Sequence, residues 1–276
     1  MLLLVASTED VAGTNIRDRL LELVAWEGRG SFLDHPVYSR GDLLLATIDK
    51  IHLRADDIDR EFEEAMSFQV DEVIFLSRHK AASGTPTLTV HPIGNYGIAE
   101  HGGRDGTLVP CSPARMAALL RSLRTTAMGL PFNISFEVTH HGPMLSKPTC
   151  FIEIGSDETR WGNIEAARAI AKALLEHSVQ DERRAVGIGG GHYAPRFTEV
   201  CLARQVGIGH MIPNYALEKM DETAFVNFTR DAMTASGADC TFIHRKSMPG
   251  SRATLLRKLL EDAGIVVAET DQFPSL

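Results

Sequence analysis

Short apolar runs of strand type alternate along this chain with segments in which apolar residues recur at helical spacing. The first run is Leu2–Ala6, and helical spacing follows from Asp10 to Ala25, with Ser7 or Thr8 as the expected N-cap. Further runs that predict buried strands are Leu43–Ile48, Val73–Leu76, Ile134–Val138, Phe151–Ile154, Val186–Ile188 and Cys240–Ile243. Further helices are predicted at Ser112–Ala127, Asn163–His177, Thr223–Ser236 and Ser251–Ala263.

This alternation predicts the α/β class, as a three-layer sandwich around a mostly parallel mixed sheet. We expect all seven apolar runs to share that one sheet. No Pro/Gly/Ser-rich linker divides the chain, so residues 1–276 are predicted to form a single domain. Residues 94–107 contain five glycines and no periodicity, which predicts an inserted loop region near 78–111.

Composition narrows the function classes. Among the 276 residues, 44% are hydrophobic, yet no apolar run approaches the roughly 20 residues of a membrane helix, and we expect no signal peptide. The four cysteines are far apart, which predicts reduced thiols in a cytoplasmic protein. A net charge of -8 argues against broad nucleic-acid binding, DNA included, although a local basic patch remains possible.

An adjacent histidine pair, His140 and His141, directly follows the strand run that ends at Val138. Pro143 and Pro148 exclude a helix between this run and the next, so the pair lies where a strand leaves a sheet. Neighbouring residues of a strand point to opposite faces, so the two rings share a site only if the chain turns there. A pair of surface histidines in a hairpin loop is the other interpretation.

Three more histidines, His79, His91 and His192, follow strand-like runs or a glycine turn, and His210 is a sixth candidate. Histidine is the commonest metal ligand and the usual general base near neutral pH. No H-E-x-x-H spacing is present, so the spacing alone does not specify a metal. Glu153 lies within a strand run, where it is either a buried, paired carboxylate or a residue of an exposed face.

The run Gly189–Gly191 invites a phosphate-loop interpretation, but Pro195 interrupts the helix start that a nicotinamide site needs. Its amides either approach a ribose-phosphate or carbonyl oxygen, or form a tight turn. Ser77 lacks a G-x-S-x-G elbow, so a serine hydrolase is not expected. The cations expected to contact phosphates are Arg78, Lys80, Arg104 and Arg196, with Arg121 and Arg124 or Arg245 and Lys246 as candidate pairs.

Three stretches carry a resemblance to a known family: FLSRHKAASGTPTLTVHPIGN, VTHHGPMLSKPTCFIEIGS and GIGGGHYAPRF. Together they resemble the archaeal and plant type of D-aminoacyl-tRNA deacylase. The resemblance implies hydrolysis of the ester between a D-amino acid and tRNA, association with Zn²⁺, and a phosphorylase/hydrolase-like fold. The positions that it implies are Ser77, Arg78, His79, His91, Asn95, Thr139, His140, His141, Gly189, Gly190, Gly191, His192 and Tyr193.

The resemblance does not separate metal ligands from catalytic bases among these positions, so roles are assigned from the residue types, with Glu153 and Arg196 added from the sequence itself. The expected catalytic residues are His140, His141, His79, Ser77 and Thr139. The expected substrate-binding residues are Arg78, Asn95, Gly189, Gly190, Gly191, Tyr193 and Arg196. The expected zinc ligands are His79, His91, His140, His192 and Glu153.

The expected partner is the acceptor end of D-aminoacyl-tRNA, with no membrane or DNA partner, and we expect a monomer. Two other classes of function stay open at this point. A nucleoside phosphorylase or nucleosidase would share the fold, and a non-catalytic protein that binds the tRNA acceptor end would share the surface. Neither accounts for the number of histidines that follow strand-like runs.

Overall fold

Strands and helices alternate along most of the chain in this computed structural model, which describes residues 1–82 and 84–276. Ser83, part of the predicted loop region near 78–111, lies outside the described residues. The strands are β1 Leu2–Ser7, β2 Glu27–Phe32, β3 His35–Arg40, β4 Leu43–Ile48, β5 Glu72–Arg78, β6 Thr87–Pro92, β7 Asn133–Phe136, β8 Thr149–Gly155, β9 Arg183–Ile188, β10 Val206–Ile212, β11 Cys240–Ile243 and β12 Val267–Ala268. The α-helices are α1 Val11–Leu23, α2 Ile58–Met66, α3 Pro113–Thr126, α4 Glu158–Trp161, α5 Ile164–Glu176, α6 Pro195–Ala203, α7 Asn214–Leu217, α8 Glu222–Ser236 and α9 Gly250–Asp262.

The large sheet has eight strands in the order β2-β3-β4-β1-β5-β8-β6-β7. Its centre is parallel, since β1 pairs in parallel with β4 and β5, and β5 pairs in parallel with β8. Strand β6 runs antiparallel to β8 and parallel to β7, and the β2–β3 hairpin adds an antiparallel edge. The predicted α/β class with a large, mostly parallel mixed sheet is therefore confirmed.

A second sheet contains four strands in the order β10-β9-β11-β12, and all of its pairings are parallel. The prediction that all seven apolar runs share one sheet is therefore wrong for Val186–Ile188 and Cys240–Ile243. Continuous apolar composition reports that a strand is buried on both faces, but it does not report which strand lies beside it.

Side chains alternate between two cores across the large sheet. Leu2 and Leu4 of β1 pack into a core with α1, α3 and α5, whereas Leu3 and Val5 pack on the opposite face with α2. The first of these cores also contains residues of the small sheet, because α3 packs against β10 as well as against β6 and β7. The helices thus connect the two sheets through shared apolar contacts.

Local signals explain where the helices begin. Ser112 caps α3 by accepting a hydrogen bond from the amide of Arg115, and Pro113 occupies the first turn, as predicted. The N-cap of α1 is Asp10, which accepts from the Gly13 amide, and neither predicted cap serves. Within the described residues, no helix is both long and apolar enough to cross a membrane.

Candidate active site

Five imidazoles meet where strands leave the large sheet. His79 directly follows β5, His91 lies in β6, and His140 and His141 lie just beyond β7, whereas His192 comes from the loop after β9 of the small sheet. The ring centroid of His140 lies 4.3 Å from that of His91, 4.4 Å from that of His141 and 4.7 Å from that of His192. The His79 ring stacks on His192 at 5.3 Å. The structure thus brings all five of these histidines together.

The backbone turns at the second member of the histidine pair. His141 adopts a left-handed conformation with φ 46°, which is uncommon for a residue with a Cβ. Its carbonyl accepts a hydrogen bond from the Gly94 amide, and the next amide, that of Gly142, donates to the His101 carbonyl. This turn lets two consecutive side chains point into one site, which a regular strand would prevent.

Glu153 lies in β8 between His79 and His91, because β8 pairs with β5 on one side and with β6 on the other. Its side chain is buried, and its Oε2 lies 3.5 Å from His79 Nδ1 and 3.6 Å from His91 Nε2. The interpretation of Glu153 as a residue of an exposed face is therefore wrong.

Glu137 provides a second carboxylate at the centre of the cluster. Its Oε2 lies 3.0 Å from His192 Nε2, 3.2 Å from His79 Nδ1 and 3.6 Å from His140 Nε2. The side chain is fully buried, yet neither of its oxygens has a hydrogen bond of good geometry within the described chain. A buried carboxylate without such bonds is costly unless another group, such as a metal ion, is bound there.

Three of the rings donate a hydrogen bond from Nδ1 to a backbone carbonyl. The acceptors are Pro92 for His91 at 3.1 Å, Val138 for His140 at 2.7 Å and Gly142 for His141 at 2.6 Å. This arrangement fixes the tautomer that leaves the lone pair on Nε2, as is usual for histidines that bind metals. The Nε2 atom of His91 is buried and has no hydrogen-bond partner among the residues described.

The electrostatics of the cluster separate neutral rings from ionised carboxylates. Burial and the neighbouring imidazoles of His91 and His141 hold the pKa of His140 well below its usual range, and burial with His91 lowers the pKa of His141 to about 3. Burial opposes ionisation of Glu153, but its close contacts with the His79 and His91 rings dominate and hold its pKa well below the usual range.

The partners of Glu153 respond in the opposite sense. Burial alone would lower the pKa values of His79 and His91, but the Glu153 carboxylate offsets burial and raises both. At neutral pH the cluster therefore presents neutral Nε2 atoms on His140 and His141 beside an ionised carboxylate. Neutral imidazoles and carboxylates are the forms that bind divalent metals.

The donor atoms fall into groups that fit a metal ion. One ring nitrogen each from His91, His140 and His141 lie within 4.8 Å of one another. A second set within the same distance contains His79, Glu137 and His192, and a third contains His91, Glu137 and Glu153. The buried oxygens of Glu137 and the buried Nε2 of His91 have no hydrogen bond of good geometry within the described chain, and this agrees with a metal ion at the site.

Two residues expected to be catalytic are engaged elsewhere. The hydroxyl of Ser77 donates to Asp10 Oδ2 at 3.3 Å, although Ser77 also lines the cavity over the histidine cluster. The hydroxyl of Thr139 lies 3.0 Å from His210 Nδ1 and accepts from the Met211 amide, although Thr139 also lines a cavity beside His140 and His141.

The residues expected to bind substrate divide into two groups. Tyr193 lies in the site, because its hydroxyl is 3.1 Å from His79 Nε2. Asn95 donates to the Gly102 carbonyl and so orders its own loop. Arg196 pairs with Glu199 and donates to Thr270, outside the cavities described below.

The glycine run is a tight turn held from both sides. The Gly189 amide donates to the Ile212 carbonyl, and the Gly190 amide donates to the Ser247 hydroxyl at 3.0 Å. Both residues have positive φ values of 98° and 93°. These two amides are already used, so Gly191 is the only member of the run for which the described structure gives no amide hydrogen bond.

The two pairs of cations expected to contact phosphate differ in whether their charges are already paired within the protein. Arg121 forms an ion pair with Glu182 at 2.9 Å and donates to the carbonyls of Cys201 and Arg204. Its guanidinium is thus occupied within the protein, which does not fit the expected phosphate contact. Arg245 and Lys246 lie in a short helix next to Ser247, which contacts the glycine turn.

A cavity of about 820 Å³, chamber A, opens over the histidine cluster. Its polar wall includes Arg78, which lies over the Trp161 ring at 5.1 Å and is about one-third exposed. Lys80 adds a second exposed cation. A second cavity of about 470 Å³, chamber B, lies on the other side of His140 and His141. The two chambers share His101, His140 and His141.

Several residues of the histidine cluster and of chamber A were not predicted as site residues. Glu137 precedes the histidine pair in the sequence, but nothing in the sequence indicates where its side chain points. His52 is fully buried, its Nδ1 lies 3.7 Å from Asp10 Oδ2, and both line the chamber. Trp161 donates to the His79 carbonyl at 2.9 Å. The spacing of these residues gives no signal, because they come from separate elements.

Comparisons with known proteins agree with this architecture. A model of the D-aminoacyl-tRNA deacylase family matches residues 66–268. A D-aminoacyl-tRNA deacylase of Methanosarcina mazei is 35% identical over 282 residues, covering 98% of this chain and 92% of that protein. One of Archaeoglobus fulgidus is 35% identical over 278 residues, covering 98% of this chain and 96% of that protein.

The length of the relatives varies. The match to the D-aminoacyl-tRNA deacylase of Methanococcoides burtonii, 35% identical, covers 98% of this chain but 57% of that protein, so the chain spans little more than half of it. A crystal structure described as a conserved protein of unknown function superposes with a TM-score of 0.88 at 33% identity, covering 100% of this chain and 99% of the other. The chain belongs to the D-aminoacyl-tRNA deacylase family.

Proposed function

We propose that the protein hydrolyses the ester bond of D-aminoacyl-tRNA and releases the free D-amino acid and tRNA. The observation that carries the proposal is the convergence of neutral imidazoles and an ionised carboxylate at the wall between two chambers. Hydrolysis of an ester needs an activated water, a group that stabilises charge on the carbonyl oxygen and a proton for the leaving ribose oxygen. Membership of the family supports this choice of substrate.

The proposal includes a zinc ion held by His91, His140 and His141. Their Nδ1 donations to backbone carbonyls and the unpartnered Nε2 of His91 support this set of ligands. Glu153, which was expected as a ligand, lies 3.6 Å from the same Nε2 atom of His91 and so adds negative charge beside the site, whereas the Pro92 carbonyl orients the ring at Nδ1. When bound, zinc supplies the Lewis acidity that activates water and polarises an ester carbonyl.

His192 is the group that we assign to proton transfer. Its side chain is 38% exposed, and its Nε2 lies 3.0 Å from the buried Glu137 carboxylate. This close contact with the carboxylate orients the ring, while Nδ1 is left for the substrate. His79, stacked on His192 and held by Tyr193, is a positioning residue in this scheme.

Chamber A is the proposed site for the end of the tRNA. Arg78 offers positive charge for phosphate, Lys80 can exchange its exposed ion pair with Glu158 for one, and Trp161 offers an aromatic face near them for a base. The net charge of -8 is compatible with this role because only the last nucleotides need to be held.

The direct test is deacylation of tRNA charged with D-tyrosine and, as control, with L-tyrosine. We expect the D-ester to be hydrolysed at least tenfold faster than the L-ester and faster than in buffer. Tight tRNA binding without turnover would instead indicate an RNA-end binder, and cleavage of a free nucleoside would indicate a nucleosidase. Either result contradicts the proposal.

Two variants separate the proposed roles. His141→Ala should lose zinc and activity together, because a ligand is removed. His192→Gln should keep its zinc content while the rate falls by roughly two to four orders of magnitude. The matched control is His35→Ala, whose ring pairs with Asp49 on the edge hairpin and should change neither quantity. Loss of zinc in His192→Gln would show that His192 is a zinc ligand, as predicted from the sequence.

A further inference from the structure

Chamber B has no role in the ester chemistry described above. It has a volume of about 470 Å³, within the size range of small-molecule sites, and meets chamber A at His101, His140 and His141. An ester whose carbonyl lies at His140 therefore has open space on both sides of the bond that is cleaved.

The walls of chamber B are largely apolar. Tyr96 and Phe228 pack edge to face at 5.7 Å, and Met220 lies beside them. Burial raises the pKa of the Tyr96 phenol, so this ring stays uncharged. Two large apolar residues of the same wall are open to solvent, with Ile98 78% exposed and Tyr215 45% exposed. Uncovered apolar surface around a concave site is typical of a binding site for an apolar group.

The charges divide differently between the two chambers. Chamber A contains Arg78 over the Trp161 ring and the exposed Lys80–Glu158 ion pair, which suits a nucleotide with its phosphate. The charged residues of chamber B are Glu100 and Lys219, both of them exposed, so their charges remain in water. Chamber B therefore offers an apolar interior and no arginine, which suits a phosphate-free group.

We infer that chamber B binds the amino-acid side chain of the aminoacyl ester and selects large apolar or aromatic side chains. The inference rests on the proposed function, since it needs an ester with its carbonyl at His140. The tRNA ribose then lies toward chamber A, and the substituents of the amino acid lie toward Tyr96 and Phe228. Burial of such a side chain there contributes to transition-state binding, so it sets the ranking of D-amino acids.

The variant that tests this is Ala224→Phe, which places a ring in chamber B from the first turn of α8. The matched control is Thr223→Phe, which adds the same ring at the adjacent exposed position of the helix. We expect Ala224→Phe to lower kcat/KM for D-tyrosyl-tRNA by about ten- to hundredfold and that for D-alanyl-tRNA by less than about threefold. Thr223→Phe should change neither value.

Equal losses for both substrates would overturn the inference, because that is what a base or ribose in chamber B predicts. A second measurement keeps the two proposals apart. Amide-linked D-tyrosyl- and D-alanyl-adenosine, which are not hydrolysed as esters, are titrated into wild-type protein and Ala224→Phe. If wild-type protein hydrolyses no D-aminoacyl-tRNA, the proposed function fails. The inference then stands if only the tyrosyl compound loses affinity in Ala224→Phe, and it fails otherwise.

Discussion

Replacing His210 by glutamine tests how the wall behind the histidine pair is held. The His210 ring is fully buried, with Nε2 2.9 Å from the Val109 carbonyl and Nδ1 3.0 Å from the Thr139 hydroxyl. That hydroxyl accepts from the Met211 amide, so its own proton points to Nδ1. The network is thus complete only for a neutral ring that donates from Nε2 and accepts at Nδ1.

The magnitude follows from the pKa of this ring. Burial lowers the pKa of His210 from the ordinary 6.5 to about 4. As pH falls through 6.5 the unfolded chain takes up a proton that the folded protein takes up only near pH 4, so stability is lost across this window. At about 1.4 kcal/mol per pH unit, the loss amounts to about 3 kcal/mol.

The assay is urea unfolding followed by tryptophan fluorescence at several pH values between 7 and 4, on wild-type protein and His210→Gln. Glutamine can donate to Val109 and accept from Thr139, but it does not titrate. The stability advantage of the wild type over the variant should therefore shrink by about 3 kcal/mol on going from pH 7 to pH 4. Other buried histidines titrate in both proteins and cancel in this difference. Parallel pH profiles for the two proteins would refute the reasoning.

Two further substitutions have expected outcomes. Gly142→Ala would place its Cβ 2.2 Å from the Gly103 amide nitrogen, so we expect a loss of about 1–3 kcal/mol in thermal unfolding, whereas Gly97→Ala, whose Cβ meets nothing within 4 Å, serves as control. Equal stability of the two variants would contradict this close approach. Arg121→Met breaks the ion pair with Glu182, so stability should fall by about 2 kcal/mol while the salt dependence of tRNA binding stays unchanged. A flatter salt dependence in Arg121→Met would show that Arg121 contacts phosphate, as predicted from the sequence.

The sequence predicted most elements because their periodicity is local. The spacing around Ser112 and Asn163 was enough to give α3 and α5 almost to the residue. Strands β2 and β3 were not predicted, because the glycines and polar residues of this hairpin carry no strand pattern. The division into two sheets could not be predicted, because strand pairing depends on residues that are far apart along the chain.

The site could be predicted where a residue directly follows a strand, because this position alone places its side chain at the edge of a sheet. His79 and the histidine pair stand just beyond strands, and neighbouring strands bring their ends together. Glu137 is close to the histidine pair in the sequence, but the direction of its side chain depends on a β-bridge between its backbone and that of Tyr193. The role of Thr139 could not be predicted either, since it faces His210, which lies 71 residues away along the chain.

The histidine cluster also lies on the seam between the two sheets. The Val138 amide donates to the His192 carbonyl, and the Ala194 amide donates to the Phe136 carbonyl, so the end of β7 is joined to the chain that leaves β9. A ligand that contacts both His140 and His192 therefore acts as a clamp across this seam. Its binding free energy opposes separation of the sheets, by about 2.7 kcal/mol at a hundredfold excess over its Kd. Occupancy of the site and resistance to separation of the sheets are therefore thermodynamically linked, and this link adds to the apolar contacts that the helices share with both sheets.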